Sequence, residues 1–133
     1  MKGSYEEKPV NNARSDIRER TFGFAVRIVR LSTYLHTRAG ASKTLATQVL
    51  RAATSVGANI EEAQAGQSRA DSISKNAIAL KEARETHYWL RRLVASRVVP
   101  ESRIRDLRDE ASQLMRIIGA IIVSSKKTAQ LSR

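Results

Sequence analysis

The chain has no cysteine, only two prolines and few aromatic residues among its 133 residues. The absence of cysteine excludes disulfide bonds, thiol catalysis and cysteine-based zinc sites, and it is compatible with a reducing compartment. Both prolines, Pro9 and Pro100, lie outside the stretch 10–99, so helices there are free of the strongest helix breaker. What remains is a chain well suited to long helices.

Long apolar runs are also missing. The longest, 117–123, is far shorter than the roughly 18–20 residues that a membrane-spanning helix needs. The first residues, MKGSYEEKPVNNARSD, lack the apolar segment of a signal peptide. We therefore expect no membrane segment, no secretion signal and a cytoplasmic location.

Acidic residues are scarce relative to basic ones, with 13 Asp and Glu against 24 Lys and Arg, a net charge of +11 and a pI near 10.9. Such a surplus favours an anionic partner, most often nucleic acid. A basic surface that only keeps the protein soluble is the alternative.

Apolar residues recur at alternating spacings of three and four, which is the period of helices that bury one face. We call each such row a seam, and four seams are present. They comprise Ile17, Thr21, Phe24, Ile28, Leu31 and Leu35; Leu45, Val49, Ala52, Val56, Ile60 and Ala63; Ile73, Asn76, Leu80, Ala83, His87, Leu90 and Val94; and Ile104, Leu107, Ala111, Leu114, Ile118 and Ile121.

Local signals mark the ends of these four helices. They are an Asp16–Glu19 capping box at the first helix, Gly40 after it, Gly66 after a second helix over 42–65, Ser68 before the third, and Pro100 in the first turn of the fourth.

Four long helices joined by short loops predict an all-α protein, an antiparallel up-down-up-down four-helix bundle over 15–123. The polar segment 1–14 lacks periodicity and is predicted to be a disordered tail. Residues 124–133 are predicted to form a basic C-terminal tail. No stretch alternates with period two, so no sheet is expected.

The first helix carries a second apolar stripe, Phe22, Val26 and Val29, roughly 120–180° away from its seam at about 100° per residue. On the third helix, Ile78 and Trp89 form a similar line. A single bundle would leave these stripes in water, so we expect a homo-oligomer. Scattered surface hydrophobes, which are common, are the alternative.

Positive charge is expected to cluster at one end of the bundle. This end contains the loop between the first and second helices and the loop between the third and fourth. The candidate nucleic-acid-binding residues are Arg38, Lys43, Arg91, Arg92, Arg97, Arg103 and Arg105. Arginine dominates, and its planar fork suits phosphate oxygens. Tyr88 and Trp89 lie close by in sequence; packing is the favoured role for both, with base stacking as the alternative.

Residues for catalysis or metal binding are sparse. The only histidines are His36 and His87, and no Glu-x-x-His motif is present, so a di-iron site is not expected. His87 falls on the third seam and is predicted to be a core histidine. Glu82 and Glu85 have cationic neighbours and are expected to form ion pairs. We predict no catalytic residue, no metal and no cofactor.

The stretch SVGANIEEAQA, 55–65, combines small residues with two adjacent carboxylates. Gly57 and Ala58 predict close packing, since a helix-interior glycine otherwise costs about 1 kcal/mol. Glu62 is expected to pair with Arg51 or Arg84, in the same chain or a neighbouring one, while Glu61 is expected to be solvated. Asn59 borders the seam. The stretch is therefore predicted to serve packing and assembly.

Three blocks carry a family resemblance: DIRERTFGFAVRIVRL (16–31), RAATSVGANIEEA (51–63) and KNAIALKEARETHYWLRRL (75–93). The chain resembles the bacterial four-helix-bundle proteins encoded by intervening sequences in 23S rRNA genes, also labelled S23 ribosomal proteins. That family is similar in fold to the accessory variability determinant of diversity-generating retroelements. The resemblance implies a homopentameric barrel that binds structured RNA or a nucleic-acid enzyme, without known catalysis.

The residues that match the family motif are Arg51, Ser55, Gly57, Asn59, Ile60, Glu62, Ala63, Lys81, Glu82, Ala83, Glu85, Thr86, Tyr88, Trp89 and Leu90. Within this set, the oligomer-interface or packing roles are assigned to Arg51, Ser55, Asn59, Glu62, Glu82, Glu85, Tyr88 and Trp89, to which the stripe Phe22, Val26 and Val29 is added.

Three functions are compatible with the sequence, of which an enzyme that uses Glu62, Glu82 or Glu85 is the least favoured. The first is a homo-oligomer that binds nucleic acid, RNA rather than DNA, through its arginines and without catalysis. The second is a scaffold or adaptor for a protein partner such as a reverse transcriptase, in which case the arginines steer that protein.

Overall fold

The computed structural model describes the backbone of residues 13–131 and the side chains of 16–131. This part of the chain is all-α, with four helices and no strand, as predicted. The helices are α1 (Ala13–His36), α2 (Ala41–Gln64), α3 (Arg69–Ala95) and α4 (Glu101–Leu131). None of the described helices has an apolar segment long enough to cross a bilayer.

The helices form a four-helix bundle in which each one packs against two neighbours. Helix α1 contacts α2 and α4, and α3 contacts the same two; α1 and α4 are the least closely packed of these pairs. One aliphatic cluster fills the centre, with Phe24, Ile28, Ile60, Leu90 and Ile118 almost completely buried. Burying a large apolar side chain contributes about 1.5–3 kcal/mol.

The helix ends agree closely with the sequence signals. Ser68 caps α3, because its hydroxyl oxygen accepts a hydrogen bond from the Asp71 backbone N–H at 3.0 Å. Gly40 precedes α2 with φ 77°, a conformation that glycine adopts without strain. Pro100 stands directly before α4 instead of inside its first turn, and α4 continues through 124–131.

The start of α1 differs from the prediction. The helix already includes Ala13, so Asp16 lies in its first turn instead of capping it. A carboxylate in the first turn is still favourable next to the positive end of the helix dipole. The predicted disordered tail, 1–14, lies outside the described residues except for its last two.

The predicted seams of α1 and α4 are fully buried, and the seam of α2 is buried except for the half-buried Leu45. The seam of α3 was wrong at several positions. Ile73, Leu80, His87 and Val94 are only half-buried, whereas the buried face contains Ala79, Glu82, Thr86 and Leu93.

The physical reason is that α3 buries small and polar residues, which hydrophobic periodicity does not detect. Thr86 is fully buried because its hydroxyl donates to the Glu82 backbone oxygen at 2.8 Å, so no hydrogen-bonding group is left unsatisfied. Moving from residue 87 to residue 86 rotates the face by about 100°.

Two glycines beside the α2–α3 region behave differently from the prediction. A Cβ atom on Gly57 would lie 3.5 Å from the Thr21 backbone oxygen, an ordinary contact, so close packing within the chain does not require glycine there. A Cβ atom on Gly66 would lie 2.6 Å from the Ser72 hydroxyl oxygen. The sterically demanding position is therefore Gly66, while the C-cap residue of α2 is Ala65.

Candidate functional site

Two of the predicted nucleic-acid-binding arginines meet at one tyrosine. Tyr34 lies in the last turns of α1, packed against the core. The Arg38 Nη1 atom donates to the Tyr34 hydroxyl at 3.0 Å. The Arg103 Cζ atom lies 4.1 Å from the centroid of the Tyr34 ring, and the Arg38 Cζ atom lies 5.6 Å from it. The end of α1 and the start of α4 are thus joined through Tyr34.

Stacking fixes a guanidinium without using its hydrogen-bond donors. The attraction between a guanidinium and a ring face is electrostatic and is worth about 0.5–1 kcal/mol at an exposed site. The N–H groups of arginine lie in the guanidinium plane, so a stacked side chain still presents them along its edges. Arg103 is therefore held in place and still able to bind an anion.

Two further arginines stand next to Arg103. A groove of about 280 Å³ runs between α1 and α4, and its lining residues are Arg27, Arg30, Leu31, Arg103, Asp106 and Leu107. The sequence reasoning missed Arg27 and Arg30. They precede Tyr34 by seven and four residues, which places the three positions on one face of α1. This spacing is the signal that could have identified them.

The other predicted cationic residues lie exposed on three different segments. Lys43 is in the first turn of α2, Arg91 and Arg92 are near the end of α3, and Arg105 is in the first turns of α4. Arg92 lies beside Tyr88, with its Cζ atom 6.0 Å from the ring centroid. Among the predicted cationic residues, Arg38 and Arg103 are the two that share a contact residue, Tyr34.

Arg97 occupies an unusual backbone position after α3. Its φ of 59° lies in the left-handed region, where non-glycine residues are uncommon. The Arg97 N–H donates to the Val94 oxygen and the Val98 N–H to the Leu93 oxygen, at 3.0 and 3.1 Å. This is the Schellman pattern, which usually places glycine at the position held here by Arg97.

His87 is half-buried, so the prediction of a core histidine was wrong. Its pKa is lowered from the usual 6.5 by burial and by the positive charges of Arg91 and Arg108. Burial and the two neighbouring positive charges all disfavour the protonated form of the imidazole.

Other arginines are bound by carboxylates. Arg51 contacts Glu82 at 3.3 Å and also pairs with Glu85, and Glu85 accepts a hydrogen bond from the Trp89 indole at 3.2 Å. Glu82 and Glu85 form ion pairs as expected, but their partner is Arg51 on α2 and not the neighbouring cations of their own helix. Within the chain, Arg51 does not take the exposed Glu62 as its partner, contrary to one of the alternatives predicted.

Arg18 and Arg20 on α1 are paired in the same way. Arg20 donates to both oxygens of Glu110, at 2.6 and 3.0 Å. Arg18 lies 3.1 Å from Glu61, so Glu61 is an ion-pair partner across α1 and α2 and not simply a solvated residue as predicted. Both acids lie far from their arginines in sequence, which is why local spacing did not reveal them.

The polar residues of the SVGANIEEAQA stretch bond locally. The Asn59 Nδ2 atom donates to the Ser55 backbone oxygen at 2.9 Å and to its hydroxyl oxygen at 3.1 Å. Both residues are half-buried. Across the described residues, no group of three or more His, Cys, Asp or Glu side chains is arranged to hold a metal ion.

The second apolar stripe of α1 is exposed in the single chain, with Phe22 70%, Val26 37% and Val29 46% accessible. On α3 the stripe is less complete. Ile78 is 38% exposed, whereas Trp89 packs partly against the core and meets Tyr88 edge to face, with 5.2 Å between the ring centroids.

Comparisons with known proteins agree with this fold. The family model described as 23S rRNA-intervening sequence protein matches residues 13–120. A crystal structure of a protein with unknown function from the S23 ribosomal protein family of Bacteroides thetaiotaomicron VPI-5482 is 37% identical, with a TM-score of 0.73. The alignment covers 80% of this chain and 97% of that chain. No curated protein matches the chain. The chain therefore belongs to the family of 23S rRNA-intervening sequence proteins.

Proposed function

We propose that this protein is a homo-oligomeric helical bundle that binds nucleic acid through arginines, without catalysing a reaction. The observation that carries the proposal is the pair Arg38 and Arg103 on Tyr34, which are positioned by an aromatic ring and not by carboxylates. Together with the net charge of +11, they offer directed donors for phosphate oxygens.

The binding surface extends to the other exposed cations at the same end. In an antiparallel up-down-up-down bundle, the α1–α2 turn and the α3–α4 turn share one end. Residue pairs across the interfaces support this order: Arg18 with Glu61, Ala63 with Ser72, and Arg20 with Glu110. The end then gathers the full set, Arg38, Lys43, Arg91, Arg92, Arg97, Arg103 and Arg105.

Structured RNA is the preferred ligand class. Guanidinium groups without a base-reading motif contact phosphates and recognise the shape of a helix more than its sequence. Binding of this kind weakens steeply as salt rises, because bound counterions are released.

Self-association is the second part of the proposal, with a pentameric barrel as the expected form and the cytoplasm as the expected location. The stripe Phe22, Val26 and Val29 would be covered by a neighbouring copy. Phe22→Asp should reduce the mass measured by light scattering, because burying an unpaired charge is costly. An unchanged mass would show that the stripe takes no part in assembly. Thr47→Asp, which adds the same charge at an exposed position on α2, away from the stripe, is the control.

The experiment for nucleic-acid binding is a titration of the purified protein with an RNA hairpin and with duplex DNA of equal length, at about 50 and 200 mM salt. We expect tight, salt-sensitive binding that is stronger for RNA. No binding at about 50 mM salt, where phosphate contacts are strong, would overturn the proposal.

Solution mass with and without nuclease treatment completes the experiment, because it reports assembly and bound nucleic acid together. If RNA binding is absent and an acidic protein remains bound after nuclease treatment, the function would instead be that of an adaptor, for example for a reverse transcriptase.

A further inference from the structure

The groove between α1 and α4 concentrates arginines whose donors are not occupied. Within residues 16–131, Arg27 and Arg30 have no carboxylate within 4.0 Å, and Arg103 has only the Tyr34 ring. By contrast, Arg20 on the same helix is held by both oxygens of Glu110. Along α1, the arginines near the start, Arg18 and Arg20, are paired with carboxylates, whereas Arg27 and Arg30 have no such partner within residues 16–131.

The groove also has apolar lining residues. They are Leu31 and Leu107, and both are almost completely buried. Apolar walls keep the local dielectric low and concentrate the field of the surrounding charges. Asp106 also lines the groove and reduces its positive charge, but it forms no ion pair with an arginine of the described residues.

We propose that the α1–α4 groove is a phosphate-binding site for the backbone of the nucleic acid. Arg27, Arg30 and Arg103 are the donors, and Tyr34 is the positioning residue that orients Arg103 and Arg38. This inference rests on the proposed function, and it adds a side surface to the end of the bundle predicted from sequence.

The dimensions suit several consecutive phosphates. From residue 27 to residue 34, α1 advances about 10 Å, whereas phosphates of one strand are separated by about 3.4 Å along a duplex axis. A strand running along α1 could therefore meet the arginines in turn without any base being read. The site should accept any sequence of a given shape.

The test compares two double variants that remove the same charge. Arg27→Gln with Arg30→Gln changes the groove; Lys126→Gln with Lys127→Gln changes exposed cations near the far end of α4. Both are titrated with one RNA hairpin at several salt concentrations, and circular dichroism verifies the fold. We expect the groove variant to lose at least about tenfold in affinity and to reduce the salt slope by roughly 1.4–1.8, at 0.7–0.9 per phosphate contact. The control should change far less.

A second pair of variants tests the positioning role of Tyr34. Tyr34→Phe keeps the ring under Arg103 and Arg38 but removes the hydroxyl that accepts the Arg38 hydrogen bond, so it should lose less affinity than the change to leucine. Tyr34→Leu removes the ring and should weaken binding about two- to fivefold, the factor that corresponds to an exposed cation–π contact. The salt slope is the additional readout, since a fault in folding alone would lower the active fraction without changing the slope.

The outcomes separate this inference from the proposed function. If the wild type binds RNA but the groove variant and its control lose affinity equally, only net charge matters and the groove is not a site. If Arg91→Gln with Arg92→Gln abolishes binding while the groove variant is unaffected, the end of the bundle binds alone. If the wild type does not bind RNA at about 50 mM salt, both proposals fail.

Discussion

The α2–α3 interface around Arg51 and the α1–α4 groove around Tyr34 hold arginine in opposite ways. At α2–α3, Glu82 and Glu85 occupy the guanidinium of Arg51. At α1–α4, an aromatic face supports Arg103 and leaves its donors free. The number of arginines therefore does not locate a binding surface. A guanidinium whose N–H groups already bond carboxylates has few donors available for a phosphate.

Burial follows the same division. Glu82 is only 8% exposed, so the pair with Arg51 belongs to the packing of two closely associated helices. The arginines of the groove lie exposed between the two helices that pack least closely. One region uses charge for structure, and the other has charge available for a ligand.

The largest expected effect is a loss of stability when the ion pairs of Arg51 are removed. Arg51→Met should reduce the free energy of unfolding by about 1–3 kcal/mol, because the buried Glu82 carboxylate loses its cation. Arg103→Met, the matched change in the groove, should cost less than about 1 kcal/mol. Urea unfolding measures both. Equal losses would show that the two arginines do not differ in their structural role.

A smaller effect of opposite sign is expected at the α3–α4 turn. Arg97→Gly should stabilise the protein by about 1 kcal/mol, because glycine accepts the left-handed conformation that arginine adopts at a cost. The same change should weaken RNA binding by removing a charge. Arg97→Ala, which removes the charge but keeps the strain, is the control. Stability and RNA affinity falling together in Arg97→Gly would contradict the assignment.

The corner between α2 and α3 provides a further test of packing. Gly66→Ala should cost about 0.5–1.5 kcal/mol, because the new methyl group displaces the Ser72 hydroxyl from its 2.7 Å bond to the Ala63 oxygen. Gly57→Ala should instead stabilise α2 by about 0.5–1 kcal/mol. Thermal unfolding distinguishes the two. A loss of stability in Gly57→Ala would indicate that another chain approaches α2 at this point.

The smallest effect concerns pH. The pKa of His87 is lowered in the folded protein by burial, Arg91 and Arg108, so the unfolded chain binds a proton more readily. The contribution of His87 to stability is therefore complete above its unfolded pKa of about 6.5 and is lost as the pH falls toward the folded value. His87→Gln should flatten the decrease in melting temperature between about pH 7 and 5. Parallel curves for the two proteins would contradict this.

Much of the fold could be predicted, because it depends on patterns within each helix. The seams of α1 and α4, the cap at Ser68 and the exposed stripe at Phe22 all follow from spacing along a single helix. The face of α3 could not be predicted from hydrophobicity, since Thr86 and Glu82 are buried with their polar atoms bonded. A hydrophobic pattern does not detect polar residues that are buried with their hydrogen bonds satisfied.

Less of the candidate site could be predicted. The sequence identified Arg38 and Arg103 as neighbours through the expected topology, yet it assigned no role to Tyr34, Arg27 or Arg30. Outside this site, the sequence predicted an ion pair for Glu62, whereas the structure shows one for Glu61, with Arg18. A charge pattern shows which residue types are available, but the partner of each arginine depends on residues that are distant in sequence.

The four helices, the strongly basic character and the family of this protein could all be read from its amino-acid sequence. Those properties are local or additive: helix period, capping residues and net charge do not depend on which helices become neighbours. Which arginines pair with carboxylates and which do not depends on the tertiary structure. That choice depends on pairs such as Arg20 with Glu110 and Arg103 with Tyr34, which packing alone brings within a few ångströms of each other.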